Sequence, residues 1–377
     1  ETGDNVTIVS STGVFDTKNV GTGKTVTLTN TYGGTDVGNY TIVNQGSTTA
    51  AITAKTVTAT LTGSITKMYD GDAVATLTSS NYSLFGFVSG ESATITQTVG
   101  AYDNKNIGTG KAVSASLTNA YSPASGTLLS NYSLAATATS TTGVITSKTI
   151  TVTGITAADK VYDGNTTATI STGSIDFDGI ETGDNVTIVS STGVFDTKNV
   201  GTGKTVTLTN TYGGTDLGNY TIIDQISTTA SITVRSVSVT PTTPQTKVYG
   251  STDPLPFTYN TETALGDRGL ISGDAFTGTL SRTVGEAVGT YSITIGTLTN
   301  TNYSIDYSSK DFSITSKTIT VTGISAADKV YDGNTTATIS TGSINYDGLE
   351  TGDNVSIASS TGVFDTKNVG TGKTVTL

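Results

Sequence analysis

Residues 148–165 read KTITVTGITAADKVYDGN. In Thr149-Ile150-Thr151-Val152-Thr153 the apolar residues fall at every second position and threonines fill the others. A period of two puts one set of side chains on each face of a strand, and β-branched residues suit both faces. Thr205-Val206-Thr207-Leu208-Thr209 repeats the pattern, and Asp163-Gly164, Asp178-Gly179 and Gly213-Gly214 punctuate the runs as turns. No stretch carries a convincing helical period over three turns. The expected class is all-β.

The pattern recurs along the chain. Residues 1–36 reappear unchanged as 181–216, and the same passage begins again at Glu350 with two changes in 28 positions, Ser356 and Ala358. An opening phrase marks each unit at Lys55, Lys148, Arg235 and Lys317, spaced by 93, 87 and 82 residues. A second marker follows: KMYDGD from Lys67, KVYDGN from Lys160, KVYGSTDP from Lys247 and KVYDGN from Lys329. The expected domains are 1–54 (the C-terminal part of a repeat), 55–147, 148–234, 235–316 and 317–377 (the N-terminal part of a repeat). Both ends fall inside a repeat, so the chain reads as a slice of a longer array, with lateral packing of chains as one expectation. Repeats of 82–93 residues exceed the ~20–30 of a β-solenoid and match a small sandwich of about seven strands. The expectation is therefore a tandem array of Ig-like antiparallel β-sandwiches forming a rod.

Asp36-Val37-Gly38-Asn39-Tyr40 and Asp216-Leu217-Gly218-Asn219-Tyr220 each precede a strand. A tyrosine there can bury its ring and bond its hydroxyl to nearby main chain, as in the tyrosine corner of Ig-like sandwiches. Tyr40 and Tyr220 are expected to be buried in this way. The other repeats keep only the NYS phrase, at Asn81, Asn131 and Asn302.

With KVYDGNTTAT, D-x-G-N-Y and the KTIT opening assembled, the chain resembles the YDG-type repeats of large bacterial surface adhesins. The repeat containing KVYGSTDPLPFTY and VGTYSITIGTLTNTNYSI is similar to the MBG repeats of the YGX type. The resemblance implies an exported, extracellular or cell-surface bacterial protein of the filamentous-haemagglutinin style. It brings no catalytic residue with it.

Composition narrows the chemistry. The chain has no Cys, His or Trp, and a net charge of −11. Without His or Cys, Ser-His-Asp and Cys-His catalysis and most zinc sites are excluded. Acidity disfavours nucleic acid, and no apolar run approaches the ~18–20 residues of a membrane span. GTGKT at Gly201–Thr205 fails as a phosphate loop, because the position that needs the first glycine is Lys198. Glu181 with Asp184 could act as a carboxylate pair, but it recurs as Glu1/Asp4 and Glu350/Asp353, which suits a solvated loop better. Asp176, Asp178 and Asp184 gather oxygens that could hold Ca²⁺, the one cofactor considered, although Asn345 replaces the first of them in the next copy. Thr-x-Thr runs invite an ice-binding reading that twisted strands oppose. Sequons stand at Asn5, Asn39, Asn165, Asn185 and Asn219, and lysines near Asn or Asp could form isopeptide cross-links, though Arg235 replaces the opening lysine of one repeat.

No catalytic or cofactor-binding residue is assigned. The structural residues are Tyr40, Tyr162, Tyr220 and Tyr331. The expected function is a structural segment of an extracellular filament or adhesin stalk, and the alternative is a module recognising glycan or a surface protein. The expected partners are neighbouring repeats of the same chain, with a homo-filament and a cell-surface or glycan ligand as further candidates.

Overall fold

A computed structural model describes all 377 residues, Glu1–Leu377. The chain is all-β. Its only helical pieces are the three-residue 3₁₀ turns Val37–Asn39, Ser79–Asn81, Leu129–Asn131 and Leu217–Asn219. It divides into two compact units, and the repeat 148–234 contributes residues to both.

The first unit contains the whole of repeat 55–147. Its larger sheet runs in the order Ile65–Met68, Thr137–Thr146, Gly108–Ser116, Val99–Tyr102, Val74–Thr76. A three-stranded sheet has Lys55–Leu61 at its centre, between Tyr132–Leu134 and Tyr82–Phe85. In Gly108–Ser116 Lys111, Val113 and Ala115 are buried while their neighbours stay exposed, the period of two expected of a half-buried strand. Most ladders are antiparallel. The exceptions sit at the repeat's opening, where Lys55 pairs in parallel with Tyr132 and Ile65 in parallel with Gly143. Parallel neighbours need a long crossover, and here the body of the repeat supplies it. In the repeat 148–234 the strand Lys148–Thr153 likewise lies between Asp176–Asp178 and Tyr220–Ile223, parallel to the latter.

The second unit contains repeat 235–316 on the same plan. Arg235–Pro241 lies between Tyr259–Thr261 and Tyr303–Tyr307, and Gln245–Val248 runs parallel to Asp311–Thr315. Its core packs Val239, Phe257, Leu280, Ile293, Leu298, Phe312 and Ile314. Repeat 235–316 thus buries a thin core of its own.

The core of repeat 55–147 does not stop at the repeat boundary. Leu61, Ile65, Tyr69, Leu77, Tyr102 and Ile145 belong to one buried cluster with Ile150, Val186 and Tyr220 of the following repeat. Only Ser147 separates the closing strand Thr137–Thr146 from the opening strand Lys148–Thr153, and only Val234 separates Ser227–Thr233 from Arg235–Pro241. No flexible linker stands between these repeats.

Candidate functional site: the junction between repeats

The K-x-Y-D-G phrase builds one side of the junction. Lys160 Nζ bonds Asp163 Oδ1 at 2.8 Å, Asn165 Oδ1 at 3.1 Å and the carbonyls of Asn165 and Thr167. The Asp163 carboxylate also accepts the Asn165 N–H. Burial alone would raise its pKa, but Lys160 and these N–H bonds hold it below the ordinary value. The turn closes through Gly164 at φ +79°, a left-handed conformation that glycine adopts at little cost. A Cβ there would lie 3.1 Å from Ile271 of the next repeat. The phrase thus makes a caged turn that lets the next repeat approach and aims its tyrosine forward.

In the first unit that tyrosine is Tyr69. Its hydroxyl donates to Asp184 Oδ2 of the following repeat at 2.6 Å. Tyr220, from the same repeat as Asp184, donates to the same oxygen at 2.6 Å and accepts the Glu181 N–H at 2.9 Å. The two rings meet edge to face, with centroids 5.3 Å apart. Lys105 of the preceding repeat binds the other carboxylate oxygen at 2.6 Å. The Asp184 side chain is only 2% exposed. Burial by itself would raise its pKa, but Lys105, Tyr220 and Tyr69 outweigh that and keep it below the ordinary value. Burial, then the facing carboxylate, pushes both tyrosine hydroxyls up.

A second clasp lies beside the first. Asn219 is buried; its Oδ1 accepts the Ile107 N–H at 3.1 Å and its Nδ2 donates to Asn106 Oδ1 at 3.2 Å. Both partners belong to the D-x-K-N loop of the preceding repeat that also carries Lys105.

The same atoms recur at the next junction, inside the second unit. Tyr162 and Tyr303 donate to Asp274 Oδ2 at 2.9 and 2.6 Å, and Tyr303 accepts the Ile271 N–H at 3.0 Å. Lys198 stands 3.8 Å from Asp274. Asn302 takes the Val200 N–H at 3.0 Å and donates to Asn199 at 3.2 Å. In the first unit, 1–54 meets 55–147 through Lys18 on Glu91 at 2.8 Å and Asn131 between Val20 and Asn19, and Tyr132 of the same repeat as Glu91 donates to that carboxylate at 2.7 Å. Of the last junction, Tyr249 on Asp353 at 3.0 Å is present.

The four tyrosines singled out from the sequence occupy different surroundings. Tyr162 and Tyr220 are buried in junctions. Tyr40 is 42% exposed and donates to Asp4; its segment has neither the opening strand that flanks Tyr220 nor a preceding YDG tyrosine. Tyr331 is 57% exposed. Asp176 and Asp178 lie exposed on a strand pairing with Thr153 and Thr151, while Asp184 is taken by two tyrosines and a lysine. The structure forms no group of three carboxylates that could hold a metal ion. Among the sequons, Asn219 is buried in the clasp and Asn165 is bound to Lys160. In GTGKT, Lys204 bridges Asp196 and Thr197, both at 2.7 Å, and closes its own turn.

Lys105, Lys198, Asn131 and Asn302 were not assigned a role from the sequence. Their signal is a set of three phrases at a steady offset: D-x-K-N in one repeat, then G-D or G-E and N-Y in the next. Arg235 was noted only as a departure. Its buried guanidinium donates to the carbonyls of Gly269, Gly266, Arg268 and, across the junction, Tyr162.

No helix is long and apolar enough to cross a membrane. No curated protein matches the chain. Among solved structures, surface layer protein SbsC, domains 4–9, is 12% identical with a TM-score of 0.12; the match covers 85% of this chain and spans about half, 49%, of that one. The MBG domain (YGX type) family matches residues 237–313. The YDG domain family matches 1–51, 53–141, 146–230 and 315–377. The chain therefore belongs to the YDG domain family, as a tandem array carrying one MBG repeat.

Proposed function

We propose that the chain is a structural segment of an extracellular filament or adhesin stalk at a bacterial surface, with no catalytic role. The observation that carries this reading is the recurring junction, in which a carboxylate of one repeat gathers a tyrosine and a lysine of the repeat before it. Repeats joined by a shared core and a side-chain clasp resist hinging. A Gly/Ser linker does not. Repetition of one junction chemistry suits reach and load transfer, and the partners it provides for are neighbouring repeats.

The alternative, a ligand-binding adhesin module, has one feature in its favour. Repeat 235–316 has a cleft of about 520 Å³ lined by Asp253, Leu255, Phe257, Arg282, Val284 and Glu286. Arg282 and Lys247 already neutralise Asp253 and Glu286 there, which leaves little unpaired polarity for a ligand. The test is to apply the purified chain to glycan arrays and to host and bacterial cells. The stalk reading expects no saturable binding. Saturable binding abolished by Arg282→Ala, in a chain that still melts cooperatively, would replace it with the module reading.

A further inference from the structure

The head of repeat 235–316 differs from that of a YDG-type repeat in nearly every position outside the junction. Arg235 stands where Lys148 and Lys317 stand, and Ile271 where Glu181 stands. Yet Asp274, Asn302 and Tyr303 receive the preceding repeat as Asp184, Asn219 and Tyr220 do. Glu91, Asn131 and Tyr132 of the variant repeat do the same with a longer acid. The feet they receive share the loop D-x-K-N, at Lys18-Asn19, Lys105-Asn106 and Lys198-Asn199. The foot of repeat 235–316 lacks that loop. It offers Tyr249, and its corresponding turn carries Val284, fully exposed, and Val288.

We infer that the head surface formed by the acid, the Asn and the Tyr is a coupling site blind to repeat type, whose partner is any D-x-K-N foot of this chain. The foot alone distinguishes the two kinds. An MBG repeat can follow any YDG-type repeat with a full clasp. The joint behind it lacks the lysine and asparagine of a D-x-K-N foot and meets the next repeat through Tyr249 on Asp353 and the Gly250 turn against Glu350. The coupler therefore allows repeats to be deleted or reordered, and it sets one weaker joint after each MBG repeat. The inference concerns coupling, and it stands whether the array is a stalk or a binding surface.

The test removes 148–234 from the full chain, joining Ser147 to Arg235, so that Asp274 faces Tyr69 and Lys105. Tyr69→Phe and Asp274→Asn are then measured singly and together by denaturant unfolding. In the parent chain the two belong to repeats that are not neighbours in sequence and their effects should add; in the shortened chain they should be non-additive, within about twofold of the Tyr162/Asp274 coupling in the parent. Additive effects in a cooperatively folded shortened chain overturn the inference. Should the shortened chain fail to fold, a chain in which 235–316 precedes 148–234 keeps the question open to measurement. There Tyr69 should couple to Asp274, and Lys-to-acid coupling should be absent at the joint behind the MBG repeat. Failure of both arrangements to fold also overturns it.

Discussion

Tyr69 and Asp184 stand 115 positions apart, in different repeats, and are joined by a hydrogen bond of 2.6 Å. With Tyr220 and Lys105 they make a four-membered lock around a carboxylate that is nearly removed from solvent. A buried charge is tolerated when paired and hydrogen-bonded, and costs several kcal/mol when left alone. The lock is thus sensitive to the loss of any member.

Removing one hydroxyl is the mildest test. Tyr220→Phe loses a bond to a carboxylate and leaves the Glu181 N–H without its partner. A loss of about 1.5–3 kcal/mol is expected, read as a lower denaturant midpoint. Tyr40→Phe is the control, since Tyr40 is half exposed; a change below about 0.5 kcal/mol is expected.

Acid should weaken the junction. Asp184 has its pKa lowered in the folded chain below the ordinary aspartate value, so its contribution is present above the unfolded value and lost as pH falls through the folded one. The melting temperature should hold between neutral pH and about pH 5, then fall below about pH 4. Asp184→Asn should start lower and show a shallower acid slope. An unchanged slope would mean that other carboxylates carry the acid sensitivity.

The asparagine clasp gives an independent handle. Asn219→Ala removes two hydrogen bonds to the preceding repeat and strands the Ile107 N–H. A cost of about 0.5–1.5 kcal/mol is expected from the lost, part-buried hydrogen bonds. Because Asn219 is buried, mass spectrometry of the folded, glycosylation-competent product should find it unmodified.

Gly164 tests the YDG turn itself. Alanine there meets both a positive φ and the Ile271 methyl. About 1–2 kcal/mol of destabilisation is expected from the left-handed backbone alone. Gly173→Ala, at ordinary φ and with Ser171 Oγ at an unstrained 3.9 Å, should be close to neutral by the same unfolding measurement.

The class of fold was legible because strand alternation is local. Thr149–Thr153 states its two faces within five residues, and the repeat boundaries are marked by near-identical phrases. The junction was not legible in the same way. Asp184 looks like one more loop carboxylate, and a calcium reading with Asp176 and Asp178 was open. Its partners Lys105 and Tyr69 lie 79 and 115 positions upstream, in a repeat of different sequence. Burial of Tyr220 depends on the opening strand at Lys148 and on Tyr69. Tyr40 has the same local phrase without either neighbour, and its ring stays half exposed. Local sequence names Tyr220, and residues distant from it in the sequence bury it.

The central claim is that side chains lock adjacent repeats against hinging. Small-angle scattering of the chain, compared with the variant combining Tyr69→Phe, Lys105→Ala and Asp184→Asn, tests it most directly. The account expects a broader distribution of maximum dimensions for the variant than for the parent, at a temperature where every repeat remains folded. Equally broad distributions for both proteins would contradict it.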